Sequence, residues 1–194
     1  MTIIQNAGTG EVSTGFYNNV VTQSLRFEDG DAAYLSKTYG SAGNRKTWTL
    51  SFWIKCSTIQ AQTLFATRTD TNPFGEIRFE SDGGFFFYGY TGSAYQYRFD
   101  STALFRDTSA WYNFVFLMDT TDGTEGNRTK IYVNGSQLTA FDNSTYPTQN
   151  LDTNVNNAVE HDFGYDVNAT TQAFDGYLAE ANFIDGTALT PASF

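Results

Sequence analysis

Cysteine is nearly absent. Cys56 stands alone in 194 residues, so these residues cannot form an intrachain disulfide or build a cysteine metal cluster. The single histidine, His161, excludes any zinc motif that needs a histidine pair. Basic side chains are also few. Lys and Arg total 11 against 21 Asp and Glu, and the formal net charge of −10 leaves no surface that phosphates would reward. Nucleic acid is therefore not an expected partner, and anionic membranes are disfavoured for the same reason. No apolar stretch approaches the length of a membrane span. The opening Met1-Thr2-Ile3-Ile4-Gln5 lacks the basic region and long apolar segment of a secretory signal. The expectation is a chain made in a cytoplasm and not inserted into a membrane. Helical periodicity is missing too: no stretch repeats its apolar residues at the spacing of an amphipathic helix.

What is abundant is aromatic and β-branched. Hydrophobic residues make up 40% and aromatics 17%, enough for a large core, while 17 glycines against 3 prolines suit many short strands joined by tight turns. The stretch Ser109–Ala140 organises the rest. Its apolar run Trp111–Met118 is followed by a polar loop, a short run Lys130–Val133 and then Asn134-Gly135, a pair whose tolerance of positive φ marks a tight hairpin. In the first run Trp111, Asn113, Val115 and Leu117 alternate with Tyr112, Phe114, Phe116 and Met118. Both faces are mostly apolar, which places this strand inside a sheet. Thr47–Lys55 alternates more cleanly, with Trp48, Leu50, Phe52 and Ile54 opposite Thr49, Ser51, Trp53 and Lys55.

Other expected strands are Ser24–Phe27, Ala32–Leu35 and Thr63–Thr67, then a meander over Glu76–Phe79, Phe85–Tyr90 and Tyr95–Phe99, and finally His161–Tyr165 and Phe174–Ile184. Phe141–Asn157 reads as a long polar loop, and Thr190-Pro191 as the start of a short helix. Met1–Thr22 is polar and reads as an arm or linker ahead of one domain over residues 23–194. The sum is an all-β protein, a two-sheet antiparallel sandwich of the jelly-roll kind.

Several segments resemble the concanavalin A-like lectin/glucanase superfamily, in particular its laminin G-like branch. They are Ser24–Phe27, Ala33–Ser36, Trp48–Lys55, Ala110–Val115, Lys130–Gly135 and Phe174–Gly186. More narrowly, Ala42–Thr49, Tyr146–Asn150 and Asp185–Phe194 look like laminin G-like modules in structural proteins of tailed phages, notably aquatic ones. The resemblance implies a non-enzymatic virion protein, made in the host bacterial cytoplasm and carried on the capsid or tail as a surface decoration or fibre module. Its partners would be other virion proteins and further copies of itself. The alternative it implies is a carbohydrate-binding module that recognises host surface glycans.

The superfamily includes glycoside hydrolases, whose acids sit in a Glu-x-Asp-x-x-Glu type strand. The nearest counterpart here is Glu76–Glu80, with Arg78 at the position of the middle acid. Its two glutamates stand roughly 13 Å apart along a strand, against the about 5 to 9.5 Å that hydrolysis needs. No catalytic residues are expected. Alternation also sets Glu160 and Asp162 opposite His161, so these three do not converge on one ion. Laminin G-like domains often bind calcium at a loop rim, and Asp119, Asp122, Asp142 and Asp185 are the acids that could line one here. The aromatic meander is the remaining candidate, and Tyr88, Tyr90, Tyr95 and Tyr97 are its expected ligand or partner surface. Rings there can stack on sugars, fill a protein interface, or simply cover the sheet.

Overall fold

Alternation in Thr47–Cys56 makes a strand with one apolar face turned to the core: Trp48, Leu50, Phe52 and Ile54 are all fully buried. The computed structural model describes residues 21–68, 73–166 and 172–194. Within these the strands are β1 (Leu25–Phe27), β2 (Leu35–Thr38), β3 (Thr47–Cys56), β4 (Gln62–Arg68), β5 (Phe74–Phe79), β6 (Phe85–Tyr90) and β7 (Tyr95–Ser101). They continue with β8 (Tyr112–Asp119), β9 (Thr129–Val133), β10 (Ser136–Gln137), β11 (Phe141–Thr145), β12 (Glu160–Phe163) and β13 (Gly176–Asp185). A six-stranded sheet runs β1-β13-β3-β8-β9-β10 and a seven-stranded sheet runs β11-β7-β6-β5-β4-β12-β2. Every pairing is antiparallel. This is the expected all-β, two-sheet sandwich.

The core lies between the sheets and is largely aromatic. From β8, Phe114 meets Phe85 edge-on at 5.8 Å and Phe116 meets Phe87 at 5.1 Å, so the two sheets are joined ring to ring. Each such ring, fully buried, contributes about 1.5–3 kcal/mol of transfer free energy. As its two apolar faces require, β8 is an inner strand, between β3 and β9. Its second face is covered by the chain after β13, which returns across the sheet. Thr49 Oγ1 donates to the Thr187 carbonyl at 2.8 Å and accepts from the Leu189 amide at 2.8 Å. Val115 and Leu117 are buried on this face, and so is Pro191.

The hairpin turn behaves as the Asn-Gly pair requires, with φ of 48° at Asn134 and 80° at Gly135. Three expectations shift. The turn after β1 extends through Ala32, which is left-handed (φ 48°) and donates to Asp29 O at 3.1 Å, so the next strand starts at Leu35 and not at Ala32. The polar stretch after Phe141 is not all loop: Phe141–Thr145 is the edge strand β11, polar because its side chains face solvent. At Thr190-Pro191 only one 3-10 turn forms, Pro191–Ser193. The arm expected over Met1–Thr22 lies outside the described residues, apart from its last two.

Candidate functional site

The outer face of the seven-stranded sheet carries rows of polar and aromatic side chains. One row crosses all seven strands: Ser36, Asp162, Ala66, Glu76, Tyr88, Arg98 and Thr145. Beside it run Arg78, Phe86, Asp100 and Asn143, and on the other side Arg68, Phe74, Tyr90 and Tyr95. Period-2 alternation sends the opposite set, including Ile77, Phe87 and Phe99, into the core.

These rows form a groove of about 500 Å³, lined among others by Arg78, Phe86, Tyr95, Arg98, Asp100 and Asp142. Phe86 is its floor. The Arg98 guanidinium lies 4.8 Å from the centroids of both Phe86 and Tyr95, and that of Arg78 lies 5.1 Å from Phe86. Both cations are locked by carboxylates. Arg98 donates to both oxygens of Asp100, at 3.0 Å from Nε and 2.6 Å from Nη2, and Arg78 Nε donates to Glu80 at 2.8 Å. Asn143 adds a hydrogen bond to Asp100 at 2.7 Å. The wall is therefore a set of flat guanidinium and aromatic surfaces held in place by charge-assisted bonds. Arg78 and Arg98 face four acids around the groove, Glu80, Asp82, Asp100 and Asp142, so its net charge is negative.

The four expected tyrosines divide. Tyr95 is 40% exposed and lines the groove. Tyr90 is half-buried on the same face, its ring 5.2 Å from Tyr95. Tyr88 also faces outward but is buried beneath its neighbours, stacked on Phe86 at 4.3 Å, and its hydroxyl is committed to Glu76. Tyr97 is not on the surface. It is fully buried, paired across the sheet with Gly89, and a Cβ on Gly89 would come within 2.4 Å of its ring. The missing Cβ of Gly89, and that of Gly75 beside the Tyr97 hydroxyl, make the space it fills. A register shift between Gly89 and Tyr90 explains why Tyr95 and Tyr97, two apart in sequence, part company. Arg78 and Arg98 were missed by sequence reasoning. Their signal was Arg-x-Glu and Arg-x-Asp in the first and third strands of the aromatic meander, where period-2 alternation puts acid and base on one face.

The two glutamates weighed against hydrolysis are both engaged. Glu76 is buried, accepts from Thr63 Oγ1 at 2.9 Å and from Tyr88, and burial raises its pKa above the ordinary range. Glu80 pairs with Arg78. Asp162 faces the same side as Glu76, is 1% exposed, and neither of its oxygens has a hydrogen-bond partner among the described residues. Burial first, then Glu160 and Asp166, push its pKa up to about 7, against an opposing pull from Arg68. His161 points the other way, as expected: its Nε2 accepts from the Asn156 amide at 2.9 Å, and burial lowers its pKa.

No three of the acids weighed for calcium converge among the described residues, and three of the four are taken up by hydrogen bonds. Asp119 accepts from Thr121 at 2.6 Å, Asp122 from the Thr124 amide at 2.7 Å, and Asp185 from the Asn44 amide and Asn156 at 2.8 and 2.7 Å. Asp142 lines the groove. Among the described residues Glu28, Asp29 and Asp175 do bring their oxygens within 4.8 Å of one another, but Arg26 bridges Glu28 and Asp175 at 2.9 and 2.7 Å.

The sequence profile of the concanavalin A-like lectin/glucanases superfamily, in its laminin G form, matches residues 28–193. No curated protein matches the sequence. Among solved structures, the mouse laminin α1 chain domains LG4-5 superpose with a TM-score of 0.62 at 13% identity, over 98% of this chain and 48% of that one. A heptameric SAP-like pentraxin from Limulus polyphemus gives 0.58 at 16% identity, over 82% and 72%. Domain 4 of an extracellular arabinanase from Geobacillus stearothermophilus, solved in complex with arabinotriose, gives 0.52 at 19% identity, over 77% and 65%.

Proposed function

The chain belongs to the concanavalin A-like lectin/glucanases superfamily, and from that premise we propose that it is a non-catalytic recognition module of a tailed-phage virion that binds neutral saccharide in the groove of its seven-stranded sheet. The observation that carries the ligand class is the groove wall: Phe86 and Tyr95 present ring surface, while Arg78, Arg98 and their carboxylates present fixed donors and acceptors at its edge. A sugar needs that combination, an apolar C–H face against a ring and hydroxyls against planar polar groups. The excess of acids disfavours sulfated or other anionic glycans. The arabinotriose held by the arabinanase domain of the same fold agrees with this ligand class. Non-catalysis is supported by the engagement of Glu76 with Thr63 and Tyr88 and of Glu80 with Arg78, the two acids nearest to a hydrolase pair in the sequence. The virion setting rests on the phage-like segments Ala42–Thr49, Tyr146–Asn150 and Asp185–Phe194; production in the host cytoplasm and carriage on the capsid or tail go with it.

Binding of the purified chain to a panel of neutral oligosaccharides, arabino-oligosaccharides included, is the test. Tyr95→Ala, at a partly exposed position, should abolish it without lowering the melting temperature. A panel with no binder defeats the saccharide reading, and absence of the chain from purified phage particles defeats the virion setting.

A second reading, self-association, is favoured by one place on the surface. The sheets end side by side at β1 and β2, and Leu25 and Leu35 there are 51% and 46% exposed, lining a small depression with Leu178. Edge strands with exposed leucines suit a second copy of this chain.

A further inference from the structure

On the opposite side of the molecule, the outer face of the six-stranded sheet holds a separate depression of about 260 Å³. Ser51, Trp53, Asn113, Glu180 and Asn182 line it, with the C-terminal Ser193 and Phe194 as one wall. Pairing explains how these residues meet. Trp53 on β3 stands opposite Asn113 on β8 and Ala179 on β13, and the small Ala179 leaves room beside the indole. The strand then bulges between Ala179 and Asn182, with Glu180 left-handed at φ 49°. A non-glycine residue in that region is strained and persists only where its surroundings hold it. Asn182 does part of this by donating from Nδ2 to the Glu180 carbonyl at 2.9 Å. The bulge thereby brings Glu180 and Asn182 to the same rim. Asn113, 2% exposed, is fixed by a hydrogen bond from Nδ2 to Phe52 O at 3.4 Å.

We propose that this depression is a second saccharide site, facing away from the groove and independent of it. Its lining has one large ring, two amides, a hydroxyl and a carboxylate, which together offer both donors and acceptors. It contains no Lys or Arg, and Glu180 is in no ion pair among the described residues, so an anionic ligand finds no counter-charge. The volume suits one sugar ring and not a long chain. This site stands if the groove binds nothing, because no residue is shared between them.

The test uses the indole N–H signals of the full ¹⁵N-labelled chain, titrated with glucose, galactose, mannose and N-acetylglucosamine. At least one sugar should move the Trp53 signal in a saturable way while that of Trp48, in the core, stays still. Asn182→Ala should weaken that response about tenfold, the loss of roughly one hydrogen bond, and Tyr95→Ala on the other face should leave it unchanged. Should Asn182→Ala disturb the Trp48 signal, Glu180→Gln, which keeps the shape of the rim, replaces it and should weaken binding measurably. The proposal is overturned if none of the sugars moves Trp53, if the rim variant binds as the parent does, or if Tyr95→Ala removes the response.

Discussion

Asp162 and Gly89 show how single residues are set by what lies across the sheet. The Asp162 carboxyl, with no hydrogen-bond partner for either oxygen among the described residues, is pushed by burial up to about 7 where an unburied aspartate titrates near 3.8. The folded chain therefore binds this proton more tightly than the unfolded chain does. Stability from this group is present at low pH and is lost as pH rises from about 4 to about 7. Glu76, also raised by burial, adds to the loss in the same direction. Asp162→Asn should flatten that decline and stabilise the protein by about 1–3 kcal/mol above pH 7. Urea unfolding at pH 5 and pH 8 measures this, and a variant with the parent's pH dependence contradicts it. Gly89 is set by the ring beneath it. In Gly89→Ala the new methyl group meets Tyr97 at 2.4 Å, and overpacking of this kind costs about 1–3 kcal/mol. Thermal melting would read it directly; an unchanged midpoint would mean that Tyr97 moves freely. The same pair explains the one misplaced tyrosine. Sequence alternation puts Tyr95 and Tyr97 on one face, and only the register shift opposite Gly89 separates them, a feature that no single strand reveals.

At the level of elements, strands with one or two apolar faces were legible and strands without them were not. β3 and β8 could be read residue by residue because burial forces alternation, whereas β11 is an exposed edge held by backbone bonds that its side chains do not betray. The groove was half legible: its rings stood out in the meander, but its arginines gained meaning only once β5, β6 and β7 lay side by side. The segments with the phage-like resemblance prove to be framework. Gly43 donates to Asn156 O at 2.9 Å, Asn44 holds Asp185, and the stretch after Asp185 crosses β3 through Thr49. They identify an architecture and not a ligand, which is why motif resemblance stopped short of the site. That crossing is open to test. Thr49→Val keeps the side-chain volume but removes one donor and one acceptor from a fully buried position, at a cost of about 1–3 kcal/mol. Amide exchange should quicken at Leu189, whose N–H loses its acceptor. Protection equal to the parent's at Leu189 would show that Thr49 does not hold the segment.

For the whole molecule, the groove and the β1–β2 edge share no lining residue, and in the proposed virion module each would serve a different purpose. The groove is acidic and aromatic, suited to a small polar ligand. The edge is short, and beside Arg26 and Lys37 it leaves Leu25 and Leu35 more exposed than most large hydrophobic residues among those described. Such strands invite pairing unless charge blocks it. If saccharide binding and self-association use different surfaces, they must separate genetically. Leu35→Lys places a charge at an exposed strand position, where no core contact is lost and folding stability should change by no more than about 0.5 kcal/mol. It should shift the protein to monomer in sedimentation and lower its copy number on purified particles, yet leave oligosaccharide affinity per chain unchanged. Tyr95→Ala should do the reverse, keeping assembly and losing the ligand. A monomeric parent chain would refute the edge as a self-association surface. Joint loss of both properties in either variant would mean that the groove is completed by a neighbouring copy, and the two surfaces would then have to be treated as one.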